Sequence, residues 1–467
     1  MKTALPTVEG VLFEAFVKAR LVDPDAGFEG CGWEKCGRTD RGVSAAGQVI
    51  SLWVRSALEG PSGVDLTLDR ASMGAAPVLS PVTLGANHSS TELIGTEEET
   101  HLIAGLPGLE FAFDEDDITQ ADLGTSLPHP ATRQTKSEHN YIAILNRLLP
   151  PTIRILAWSP IAADFSARFS CTYRHYKYFF SSELVPGPPL DIDCMRVAAS
   201  RLIGEHDFRN LCKVDPGKQI TMFKRVVTRA DIEPVSVDHN GQGMYVFNLI
   251  GSAFLYHQVR HIMAVLFMIG SGVEDSSVIS ALMNVDGSEK NAVADGDHLT
   301  HDLEVVECKP EYQMAGALPL ILWDCGYPAG SLDWRTTSHE PPSAEENKHE
   351  LYQQLHSIYS RSQIYATLNE HFLAAASPFH PPPSEQIRGV VLPLGQPAIS
   401  KYPIPLGGGS YKRTTKYIPL LDRNRLDPVD VINERWRLGK GLRRKERMER
   451  MDSMGAGSED LDGSDSG

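Results

Sequence analysis

The 467-residue chain has no apolar run long enough to cross a membrane. Its longest, Ile262 to Ile269 in "HIMAVLFMIG", falls far short of the ~20 residues a bilayer span needs and reads as a buried helix. No Cys-x-x-Cys pair occurs among the seven cysteines. Cys31 and Cys36 are near neighbours and the others are scattered, so spacing suggests neither a zinc site nor a disulfide framework, and reduced packing thiols are expected. The opening "MKTALPTVEG" lacks the apolar core of a secretory signal, which points to an intracellular protein. No internal repeat is present.

An excess of positive charge is also missing: the formal net charge is −16, which at first argues against a polyanion as partner. The negative charge is concentrated, however. Residues 91–122 hold ten acids and no Lys or Arg, and the tail from Asp452 holds five acids and none. What remains is close to neutral, with local basic clusters able to meet a phosphate backbone. The run "RWRLGKGLRRKERMER" at 435–450 has eight basic residues against two acids and reads as a solvated helix, a disordered arm or a nuclear-import signal.

Periodicity gives the organisation. An amphipathic helix over 7–21 puts Val8, Leu12, Ala15, Phe16 and Ala19 on one face with Thr7 as N-cap. A strand is expected at Gln48–Val54. From about 56 to 135 the text is rich in Gly, Pro, Ser, Thr and acids, as in a disordered insertion. Helical pattern returns at "EHNYIAILNRLLP". In "DFSARFSCTYRHYKYFFSS" Arg174, Tyr176, Tyr178 and Phe180 share one face of a strand, and Phe169 is expected in the core. "GMYVFNLIGSAFLYHQVRHIMAVLFMIGSG" reads as strand, Gly251–Ser252 turn with Ser252 as cap, and helix to about Ile269, with Arg260 off its apolar stripe. "LPLILWDC" is a last strand, followed by a polar linker, a helix around 350–376, a Pro-rich segment and the basic arm.

Asp40 in "GRTDRG" is the leading candidate for chemistry. Gly37 and Gly42 permit close backbone approach, and Arg38 and Arg41 favour a charged carboxylate that can act as nucleophile or base. Taken alone, such an aspartate also fits an ordinary turn.

The surrounding residues decide between these. "GRTDRGVSA" resembles the R-T-D-x-G-V-[HS]-A signature of the tRNA pseudouridine synthase A family, whose Asp is the nucleophile. "FSARFSCTYRHYKYFF" is similar to the second motif, in which a Tyr packs on the target base, here Tyr176. "GSAFLYHQVRHIMAVLFMIGSG" is similar to the third, whose Arg pairs with the catalytic Asp, here Arg260. In "ALPLILWDC" Leu320 matches an apolar residue lining the pocket, and Arg38 is expected at the substrate. The closest likeness is to the eukaryotic branch that modifies uridines 38 and 39 of the tRNA anticodon stem-loop, carried by "CGRTDRGVSAAGQVISL", "GEHDFRNLCK" and "AFLYHQVRHIMAVLFMIG".

The resemblance implies an α/β (α+β) fold: two mostly antiparallel sheet halves with helices on their outer faces and an RNA cleft between. Residues 1–185 would form the N-terminal catalytic half, 186–335 the C-terminal half, and 336–467 an extension. It further implies tRNA as partner, no metal or other cofactor, a monomer or homodimer, and a nuclear and cytoplasmic location. Rival readings are a synthase for other tRNA positions, such as 27 and 28, and a non-catalytic RNA-binding protein. Family members begin with a Tyr- and Gly-rich strand, whereas this chain starts at the helix that follows it. An unpaired sheet edge and poor solubility are therefore expected of it.

Overall fold

The computed structural model describes residues 6–58, 138–183, 189–239, 241–287, 304–336, 350–381, 402–414 and 416–456. The expected insertion, from residue 59 on, lies outside them, as does the acidic tail beyond 456. The chain forms two compact units interleaved in sequence. One takes Met1–Asp25, Val54–Trp158 and Arg335–His349; the other takes Ala26–Trp53, Ser159–Trp334 and Glu350–Gly467.

In the first unit, helix α1 (Val8–Lys18) begins where Thr7 Oγ1 accepts from Gly10 N at 3.1 Å, the N-cap expected from sequence. Its buried Leu12, Ala15 and Phe16 form one face. Asn140 caps a second helix in the same way, accepting from Ala143 N at 3.1 Å, and Tyr141, Ile142 and Leu145 of that helix are buried. The Glu138 carboxylate accepts from Ala57 N at 2.9 Å and from Ser56 Oγ at 2.5 Å. The chain thus leaves at 58 and returns at 138 in one place.

The second unit is built on a six-stranded mixed sheet. Among the described residues, strands β1 (Glu34–Lys35) and β3 (Ile50–Ser51) pair only with each other; the strand expected at Gln48–Val54 is thus a two-residue one. Short β2 (Ser44–Ala45) runs parallel to β8 (Leu320–Gly326). The rest pair antiparallel: β4 (Tyr173–Ser181), β5 (Gly204–Asp207), β6 (Lys224–Val237) and β7 (Gly243–Gly251), in the order β2-β8-β4-β7-β6-β5. Alternation on β4 buries Tyr176, Tyr178 and Phe180, as its period-two pattern predicts. The α/β class therefore holds. Among the described residues, the part up to residue 185 contributes β2 and β4 to the main sheet.

The apolar run "HIMAVLFMIG" lies in a helix whose residues, Gln258–Gly270, are all buried except Arg260. We number the helices of this chain α1, α2 (Gly27–Gly30), α3 (Tyr141–Leu148), α4 (Ile192–Ser200), α5 (Gln258–Gly270), α6 (Val278–Met283), α7 (Glu350–Ala376), α8 (Val429–Trp436) and α9 (Leu442–Ala456). A single stripe would suit a surface helix, but α5 meets α4 on one side and strand β9 (Tyr402–Gly407) on another. Strand β9 forms a hairpin with β10 (Ser410–Thr414), and Ile404, Tyr417 and Leu420 join the same core. The buried Glu274 carboxylate fixes this segment, accepting from the Tyr417 hydroxyl and from Leu420 N at 2.7 Å. Residues 402–420 thus complete the core. The basic run at 435–450 is largely helical and mostly exposed.

The start of α5 differs from the expected one. Ser252 N continues the sheet ladder, donating to Val226 O at 3.2 Å, and is therefore no cap. The helix begins six residues later, after His257 in the left-handed conformation at φ 59°. Arg260 consequently sits in the first turn and not mid-helix.

A buried lysine supports α5 from below. Lys309 is 8% exposed; its Nζ donates to Cys212 O at 2.6 Å and lies 3.1 Å from the His261 ring. Burial pushes the ammonium down to about 7. The unfolded chain, with an ordinary lysine, then binds more protons than the folded one between that value and roughly 10.4, so the lysine's cost is full below pH 7 and fades as pH rises. Lys309→Met should stabilise the chain by about 2 kcal/mol at pH 6.5–7 and destabilise it by about 1 kcal/mol near pH 10, where only the donor to Cys212 O is lost. Urea titrations of both proteins at the two pH values check the crossing; a difference independent of pH would contradict it.

Candidate active site

The Asp40 loop is shaped by its neighbours. Gln48 grips Gly37 from both sides, Oε1 accepting from Gly37 N at 3.1 Å and Nε2 donating to Gly37 O at 2.6 Å. Val43 N closes a turn on Asp40 O at 3.0 Å, and Gly42 supplies the positive φ of 82° that this turn needs. Gly47 is held for a different reason: a Cβ there would lie 2.5 Å from Trp323 O on β8. At Gly37 a Cβ would meet only ordinary contacts, 3.5 Å from Leu322 and 3.7 Å from the Tyr176 hydroxyl, so its closeness is to the site's own residues.

The partner of Asp40 is His257. Its Nε2 is 3.1 Å from Asp40 Oδ2; the imidazole side chain is 7% exposed and the carboxylate 25%. His257 Nδ1 is buried without a partner among the described residues. A buried lone pair is cheaper to leave unpaired than a buried N–H, which assigns the proton to Nε2, donating to the carboxylate. The ring also stacks on Tyr256, centroids 3.8 Å apart. Sequence reasoning missed this residue, since periodicity put His257 inside the helix, where its side chain would point elsewhere. Its signal was the triplet spacing to Arg260 in "HQVR".

Arg260 was expected to pair with Asp40. Here its Nε donates to Ala315 O at 2.7 Å, and Ala315 N returns a bond to Arg260 O at 3.0 Å. Among the described residues no ion pair joins Arg260 to Asp40. Arg38 and Arg41 are exposed beside the carboxylate. Tyr176, on β4, is 9% exposed, with Phe254 edge-on at 5.1 Å. Burial raises its phenol. Leu320 opens β8 opposite Tyr178, 5% exposed in the core, and Leu322 two residues on is the side chain that reaches Gly37. Phe169 is not the core residue expected: it is 74% exposed, with Arg168 over its ring at 5.0 Å.

Further cations gather round Tyr256, Lys213 from the end of "GEHDFRNLCK" and Lys218 from just after it. Lys213 Nζ and Lys218 Nζ lie 5.9 and 5.7 Å from its ring centroid. Lys218 is pulled below the ordinary lysine range by burial and next by the Arg38 charge. Asp207, quoted in the same stretch, is taken up locally: it accepts from Arg209 N at 3.0 Å and pairs with the Arg209 guanidinium at 2.7 Å. The result is a carboxylate positioned by an imidazole N–H and rimmed by Arg38, Lys213 and Lys218. Such a rim suits a phosphate backbone, and the carboxylate a nucleoside.

Replacing His257 tests the positioning. His257→Leu should lower turnover at saturating RNA roughly 10²-fold with affinity unchanged, and His257→Gln, which keeps an N–H donor, should recover part of it. Equal loss in both variants would contradict a donor role.

Residues 198–328 match the family model described as tRNA pseudouridine synthase. A Saccharomyces cerevisiae protein named tRNA pseudouridine(38/39) synthase is 33% identical over 447 residues, covering 95% of this chain and 74% of that protein. Proteins of the same name from Bos taurus and Homo sapiens are each 36% identical, over 327 and 328 residues, covering 69% of this chain and half of theirs. With 33% identity over 95% of this chain and 74% of the yeast protein, the chain belongs to the tRNA pseudouridine synthase family.

Proposed function

We propose that this chain isomerises uridine to pseudouridine at positions 38 and 39 of the tRNA anticodon stem-loop, with Asp40 as the nucleophile. The observation that carries the reading is the Asp40 carboxylate held at 3.1 Å by His257 Nε2 on a loop packed beside Tyr176. The names of the aligned relatives supply the positions. In the reaction the C1′–N1 bond breaks, the uracil turns within the pocket, C1′–C5 forms, and the C5 proton is lost while N1 gains one. No water adds and no redox change occurs. A carboxylate at this place can attack C1′, add to C6 or remove the C2′ proton, and every route requires the base to be flipped from the RNA stack and kept captive. Tyr176 packs on that base, Leu320 supports the pocket floor, and Arg260 faces the reacting nucleotide.

The cationic rim holds the RNA. Lys213→Gln and Lys218→Gln should each weaken tRNA binding and reduce the slope of log affinity against log salt by about 1, leaving turnover of bound tRNA intact. Filter binding across a salt series reads this, and unchanged slopes would remove the rim from the interface. The positions themselves are tested by mapping pseudouridine in tRNA from cells lacking the gene. Loss at 38 and 39 supports the proposal; loss at 27 or 28 with 38 and 39 intact would overturn it.

A further inference from the structure

Three cysteines that sequence spacing did not group meet in one place. Cys36, directly before the Asp40 loop, Cys171, at the entry to β4, and Cys325, near the end of β8, bring their sulfur atoms within 4.8 Å of one another. Cys36 and Cys325 are buried and Cys171 partly so. The Cys36 and Cys171 sulfurs are 3.3 Å apart. These separations bracket the roughly 3.8 Å S···S spacing that ~2.3 Å Zn–S bonds impose in a tetrahedral site. We propose that Cys36, Cys171 and Cys325 form a thiolate site for Zn2+ that staples the Asp40 loop to β4 and β8.

The surroundings suit such an ion. Three thiolates around a divalent cation leave one net negative charge, and Arg174 offsets it: its Nη2 donates to Cys36 O at 3.0 Å and to Arg168 O at 2.9 Å, and its Nη1 to Ser252 O at 2.6 Å. All these partners are main-chain carbonyls, so the guanidinium charge is not spent on a carboxylate. Each sulfur binds as a thiolate, so the thiol protons pass to solvent when the metal enters. Soft sulfur donors select a thiophilic ion over Mg2+ or Ca2+, and the fourth position is left to water. The site is distinct from Asp40: its role is to fix the loop's first residue, and the reaction does not pass through it.

The test uses the full chain, purified under reducing conditions after growth with added zinc. Elemental analysis should find ~1 Zn per chain, falling at least tenfold in Cys36→Ser, Cys171→Ser and Cys325→Ser but not in Cys194→Ser, whose thiol is exposed and outside the cluster. Because a serine variant can lose fold as well as metal, the wild-type chain is also stripped with a chelator and refilled with Co2+. Intense near-ultraviolet sulfur-to-cobalt absorption, with a higher melting temperature on refilling, supports the site. A wild-type chain without zinc, zinc retained when all three cysteines are serine, or a Cys36–Cys171 disulfide in place of metal would overturn it.

Discussion

Asp40→Asn should abolish pseudouridine formation, by at least about 10⁴-fold, while tRNA affinity should stay within about twofold of wild type. The variant is nearly isosteric, and its side-chain oxygen can still accept from His257 Nε2, which holds the carboxylate at 3.1 Å in the native chain. Loop geometry is thereby kept, and what is lost is the negative charge and its nucleophilicity. Affinity should barely move because phosphate contacts dominate binding and the cations that would make them, Lys213 and Lys218, are untouched. Folding should barely move either, since the side chain is a quarter exposed. Single-turnover assays with excess enzyme, beside binding curves, read the two quantities separately. Substantial activity in the variant would remove Asp40 from the chemistry.

Arg260→Met is expected to cost roughly 10²- to 10³-fold in turnover while lowering stability by only about 1 kcal/mol. The stability term is the bond from Arg260 Nε to Ala315 O at 2.7 Å; the main-chain bond in the other direction, Ala315 N to Arg260 O, survives the change. Methionine fills the stem's volume, and the first turn of α5 is otherwise held by buried Val259 and Ile262. Denaturant titration and single-turnover kinetics on the same preparations separate the roles. A drop of several kcal/mol with activity following the folded fraction would make Arg260 a structural clamp on the 315 loop and nothing more.

Patterns of burial were legible in the sequence where one element satisfied its own period. Alternation along 174–180 gave β4, Thr7 marked the start of α1, and the apolar run gave α5. Asp40 stood out in the sequence because its motif is short and contiguous. What escaped is set by contacts between distant residues. Cys36, Cys171 and Cys325 converge only once β4 and β8 pair, and Gly47 is fixed by the backbone of β8, neither of which spacing can show. His257 escaped because one left-handed residue delays the helix from 252 to 258 and swings the ring to Asp40. The tail at 402–420 looked like an extension because its few core residues, Ile404, Tyr417 and Leu420, have no period of their own; they are buried by the face of α5 that a stripe model leaves open.

The most direct measurement is tritium release from tRNA labelled at C5 of uridine, using the purified chain and four substrates: the native tRNA, versions with cytidine at 38, at 39, and at both. The account predicts release from the native substrate, reduced release from each single replacement, none from the double, and none from any substrate with Asp40→Asn. Release that persists with both uridines replaced, or that survives in Asp40→Asn, would contradict it.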